Sequence, residues 1–185
     1  VLLLTLAAGC GDVGAATPAP APARTAATWQ RFAVECPELV NAPYGLPTRG
    51  KPSAADHVDD AGRYEERCEY AAPGGRPLLT LHVTVFRGAD GATRVEQEYL
   101  KERTAADSTE SVDFVDVPQL GDAAFAIYDK GAWNVLMKAR TGNAIGVAEL
   151  LAGKDVAESW SASAPLEQQV PKLSVLMTNF LTGLS

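Results

Sequence analysis

Histidine occurs only twice, as His57 and His82, and cysteine three times, so little material is present for metal or thiol chemistry. There is no Gly-x-Ser-x-Gly elbow to present a serine nucleophile, and no Cys-x-x-Cys redox pair. The glycines at Gly74-Gly75 and in 88–91 belong to turns and lack the strand-to-helix spacing that cradles phosphates. Basic residues are outnumbered, 16 against 23 acidic ones, giving a formal net charge of −7. That balance argues against a nucleic-acid partner and against a basic membrane-surface patch. No apolar run approaches the roughly 18–20 residues of a membrane-spanning helix.

What is present begins with an address. Residues 2–10, Leu-Leu-Leu-Thr-Leu-Ala-Ala-Gly-Cys, read as the end of a bacterial secretory signal closing in a lipidation box, with Cys10 as the modified residue and new N-terminus. No basic segment precedes the apolar run, so the upstream part of the signal is expected to be missing. The alternative is a short buried helix whose Cys10 is a core thiol. Lipidation would give a membrane anchor of two acyl chains, palmitate among them, and an extracytoplasmic location on the outer face of the cell membrane. Residues 11–28, rich in Ala, Thr and Pro, read as an extended tether.

If Cys10 carries lipid, Cys36 and Cys68 remain as an even pair. In an exported chain such a pair is most simply a structural disulfide, the alternative being two separate buried thiols. Residues 29–185 then form one extracytoplasmic domain, beginning where Trp29, Phe32, Val34, Leu39 and Val40 concentrate apolar bulk.

A short helix is expected at 37–41 and a long loop at 42–62. Residues 64–71 and 78–87 flank Pro73-Gly74-Gly75 and predict a hairpin. In the second strand Leu79, Leu81, Val83 and Val85 share one face and Thr80, His82 and Thr84 the other. Thr93-Arg94-Val95-Glu96 has the form of a capping box for a helix to about Ala105. Strands follow at 112–117, 123–128, 133–140 and 144–151. The final helix carries Val170, Leu173, Met177, Phe180, Leu181 and Leu184 on one face. Its main part is expected to start at Pro171, because an interior proline lacks an N–H. The fold class is therefore α+β, an antiparallel sheet of about five or six strands with helices packed on one face.

Candidate site residues are sparse. His57 lies in Asp56-His57-Val58-Asp59-Asp60, whose spacing matches neither an EF-hand nor a zinc motif, so no metal and no cofactor is expected. Glu65, Glu66 and Glu69 read as a solvated strand face, with a paired acid and base as the alternative. Trp133 is expected in the core beside Val135 and Met137. His82 on a polar strand face and Trp160 between two serines are the candidate ligand contacts, against an ordinary hydrogen-bonded histidine and a packed core indole as the other readings, with no catalytic residue assigned.

Several of these pieces together resemble a two-cysteine family of actinobacterial secreted lipoproteins, a domain family of unknown function. They are Cys10, Cys36 followed by Leu39, Cys68-Glu69-Tyr70, and Val117-Pro118-Gln119-Leu120-Gly121-Asp122-Ala123-Ala124-Phe125. The family places Trp where Tyr70 stands, and its strand, Gly-Asn turn and strand resemble 135–147. The resemblance implies a fold similar to PsbP-like domains and carries over no catalytic residue. The expectation is a lipid-anchored envelope lipoprotein that binds a protein, glycan or lipophilic ligand without catalysis. The alternative is an envelope hydrolase with a site built from carboxylates or His82.

Overall fold

The computed structural model describes residues 27–32, 36–40, 42–160 and 165–185. Its centre is an antiparallel sheet of eight strands, more than the five or six expected. In chain order these are β1 (Lys51–Pro52), β2 (Val58–Asp59), β3 (Arg63–Ala71), β4 (Leu78–Phe86), β5 (Val112–Asp116), β6 (Ala123–Asp129), β7 (Asn134–Thr141) and β8 (Ala144–Leu151). They run across the sheet as β1-β3-β4-β8-β7-β6-β5, with β2 also on the outer edge of β3. The helices are α1 (Gly91–Asp107), α2 (Lys154–Glu158) and α3 (Pro165–Leu181).

The hairpins form where alternation and turn chemistry agree. β3 and β4 pair from Arg63↔Phe86 to Ala71↔Leu78 around the Pro-Gly-Gly turn. β7 and β8 pair up to Thr141↔Ala144 around a two-residue turn. That turn is also a clasp. The Asn143 side chain accepts the Trp29 N–H at 2.6 Å and donates to Trp29 O at 2.9 Å and Phe86 O at 2.8 Å. Gly142 has φ +55 and lies so close to Ala27 O that a Cβ would collide with it, so only glycine fits.

One face of the sheet carries the main core. Leu79, Leu81, Val83 and Val85 of β4 join Val135 and Met137 of β7 beneath Leu173, Met177 and Phe180 of α3, as the alternation predicts. Leu81 is fully buried, and Leu81→Ala should therefore lower stability by about 3 kcal/mol, measured by urea unfolding. A loss below about 1 kcal/mol would mean that the site lies outside the tight core.

The expectation of helices on one face is corrected. α3 lies on the face of Met137 and Gly146, whereas Val95 of α1 packs on Phe86 and Ile145, which point the opposite way on their strands. Tyr99 of α1 continues this second layer onto Phe125, with ring centroids 5.4 Å apart. The cause is that β4, β6 and β8 are apolar on both faces at these positions. Thr80 and Thr84, read as a polar face, are accordingly buried as well.

Several local expectations change. Residues 37–40 are not helical, because long-range partners take their backbone groups: Tyr70 OH donates to Pro37 O at 2.6 Å and the Leu39 N–H to Thr48 O at 2.8 Å. 3-10 turns follow at Pro43–Gly45 and Ala54–Asp56, and with β1 and β2 they break up the long loop expected at 42–62, because β3 offers its outer edge for pairing. α1 starts at Gly91, two residues before the expected cap, since the turn out of β4 closes with Gly91 N–H on Gly88 O at 3.2 Å. α3 starts at Pro165 and keeps Pro171 inside it. Pro171 sits on the exposed side, where the carbonyl it leaves free meets water, while Leu166, Gln169 and Leu173 hold the inner stripe. Trp133 precedes β7 at φ +52 and is only partly buried against the core.

Candidate functional site

Cys10, the signal segment and the tether up to residue 26 lie outside the described residues. Cys36 and Cys68 are bonded, with Cα atoms 5.3 Å apart across 32 residues of sequence. Cys68 points from β3 into the main core, so this bond ties the entry of the domain to the sheet.

His82 is partly buried on the α1 side of β4, opposite Arg67 on β3 and Val147 on β8. Burial pushes its imidazole below the usual histidine range, with Glu65 opposing and Arg67 reinforcing the shift. The ring is therefore neutral at pH 7. Among the described residues it makes no hydrogen bond, so nothing orients it as a general base.

Trp160, read as a candidate contact or as a packing residue, packs in the core and is 6% exposed. The chain doubles back after α2, with Trp160 N–H on Ala157 O at 3.0 Å, and lays the indole against Tyr128 and Tyr44 at 5.8 and 6.2 Å. Its serine neighbours carried no information about this return. With Tyr128 and Trp133 it lines a cavity of about 360 Å³.

The sequence reading missed one constellation. Glu66 shares the inward parity of Tyr64, Cys68 and Tyr70 and is buried, unlike the solvated face expected for it. Its carboxylate accepts from Tyr64 OH at 3.2 Å and pairs with His57 Nδ1 at 2.9 Å. Burial first, and the Glu66 charge second, push the Tyr64 phenol up to about 12. The strict alternation of β3 is the signal that identifies Glu66 as buried. An oriented histidine results, but among the described residues no hydroxyl or thiol nucleophile is bonded to it. Among the described residues, no cluster of three or more His, Cys, Asp or Glu side chains is arranged to hold a metal ion.

Two concave surfaces flank the β5 end of the sheet. On the α1 side a groove of about 610 Å³ lies between Tyr99 and Arg103 of α1, the connection 117–122 and Arg140 of β7. That connection is the Pro-Gln-Leu-Gly-Asp segment singled out in the sequence, and its residue types have local causes. Gly121, at φ +61, backs onto Arg140 O where a Cβ would collide. Asp122 accepts the Gly142 N–H at 2.7 Å, and Leu120 is buried. Arg103 holds Asp116 through two bonds at 2.9 and 2.6 Å. Arg140 lies over the Tyr99 ring at 5.7 Å and reaches Glu96 only at 3.8 Å. On the α3 side a second cavity of about 460 Å³ opens between β5 and the first turns of α3, lined by Val115, Leu166, Val170 and Pro171, with Asp113 and Glu167 at its rim.

No family model, no curated protein and no solved structure matches this chain. No helix among the described residues is long and apolar enough to cross a membrane.

Proposed function

We propose that this chain is a lipid-anchored lipoprotein of the cell envelope, held at the outer face of the membrane through Cys10, whose domain binds a protein, glycan or lipophilic ligand without catalysis. It is assigned to the two-cysteine family of actinobacterial secreted lipoproteins, with a sheet similar to that of PsbP-like domains. The lipidation box and the Pro-rich segment after it support the anchor. The Cys36–Cys68 bond supports an oxidising compartment.

The observation that carries the binding reading is the pair of cavities on opposite faces of one strand, β5. Neither is lined by His82 or by the His57–Glu66 pair; the carboxylates at them are Asp113 and Glu167 on the α3 side and Asp116 and Asp122 on the α1 side, where Arg103 and the Gly142 N–H already hold Asp116 and Asp122. The hydrolase alternative draws on the oriented His57.

Two measurements test this reading. Cys10→Ser should leave a folded protein that is unprocessed or shed from the membrane; a variant that fractionates and is processed like the parent removes the anchor. Activity profiling against esters, glycans and peptides should give no turnover. Turnover lost in a folded His57→Ala or His82→Ala variant would replace binding by hydrolysis.

A further inference from the structure

We propose that β5 is a docking edge, to which an extended peptide segment of an envelope partner adds as a further strand, with an apolar side chain in the α3-side cavity and a basic side chain beside Glu167. This rests on the binding reading and names the partner's chemistry. The two ends of the sheet differ. The outer edge of β3 is occupied by β1 and β2, whereas among the described residues β5 pairs only with β6. Val117 N–H donates to Ala124 O at 2.9 Å. Because the ladder has a period of two, Val115 and Asp113 also turn their backbone groups toward β6, and Phe114 and Asp116 turn theirs outward. An unpaired row of donors and acceptors is what an added strand satisfies.

Side-chain chemistry selects the occupant. Val115 is apolar and 38% exposed, beside a cavity of about 460 Å³. The charges of Asp113 and Asp116 are matched by Lys130 and Arg103, while Glu167 is exposed and makes no ion pair among the described residues. A lipid chain would fill the cavity and leave the backbone edge unsatisfied. A second copy paired about a two-fold axis at Phe114 would bring two Glu167 rims together. A peptide alternating apolar and polar residues, with a lysine or arginine, meets both the edge and the charge. The shortness of β5 and its acids keep the edge from pairing indiscriminately.

The test selects phage-displayed heptapeptides on the full chain and measures the affinity of synthetic copies. The expected consensus alternates apolar residues and includes a basic one. Asp116→Pro removes an outward N–H and spares the β6 ladder, and should weaken binding about tenfold or more. Asp116→Ala keeps the N–H and should change it less than about threefold. Glu167→Lys should weaken the basic peptides, and Phe114 and Asp116 amides should gain exchange protection on binding. Peptides indifferent to Asp116→Pro, a library that yields no binder, or a dimer of the chain that Asp116→Pro dissociates would each overturn the edge proposal. The non-catalytic reading fails separately, by turnover.

Discussion

Replacing both Cys36 and Cys68 by serine is expected to lower stability by about 5 kcal/mol, enough to unfold many domains of this size. The bond closes a loop of 32 residues, and removing that constraint from the unfolded chain accounts for about 3–4 kcal/mol in the chain-entropy account. Serine adds a second cost. Cys68 is fully buried, and a hydroxyl without a partner there costs about 1–3 kcal/mol. The bond also keeps 36–40 in place, so the contacts of Tyr70 OH with Pro37 O and of buried Leu39 loosen with it. Urea unfolding of the parent with and without dithiothreitol should show the entropic part alone, and the double variant the whole. Two thiols that alkylate freely in the native protein isolated from cells would show that no bond forms there.

The hairpins and the inner stripe of α3 were legible because their causes are local. β8 spans the residues that alternation and the Gly-Asn turn mark out, and Leu173, Met177 and Phe180 recur at helical spacing. The second helical layer was not legible. Thr80, His82 and Thr84 look like a solvent face until α1, from a later part of the chain, is laid across the neighbouring rows. Partners far apart in sequence explain the other departures. Asn143 clasps Trp29 across 114 residues, and Pro37 is held by a tyrosine 33 residues on. Trp160 is buried by rings from the 3-10 turn and from β6. The Pro-Gln-Leu-Gly-Asp segment was recognisable as a motif, but its place in the groove depends on Arg140 O and the Gly142 N–H, which no local rule brings near it. The exposed edge of β5 follows from strand order, and strand order in an antiparallel sheet is set by the whole chain.

Above about pH 10 the domain should lose stability steeply while remaining insensitive to pH just below that point. Burial raises the phenols of Tyr64, Tyr70, Tyr99 and Tyr128, that of Tyr64 to about 12 with the Glu66 charge adding to it. The sign follows from proton counts. In the unfolded chain a tyrosine ionises near pH 10, whereas in the folded protein these four keep their protons to higher pH. From there up to the folded value, about 12 for Tyr64, the native state binds more protons, so each further pH unit removes up to about 1.4 kcal/mol per tyrosine. Below the unfolded value both states are protonated and the contribution is constant. Tyr64→Phe and Tyr70→Phe remove two of these titrations. Tyr70→Phe also frees Pro37 O, so it should start less stable and fall more slowly with pH. Unfolding midpoints taken between about pH 8 and pH 12, with phenolate absorbance recorded in parallel, check the slope. Phenols that ionise near pH 10 in the still-folded domain would mean that the rings are open to water, contrary to their burial.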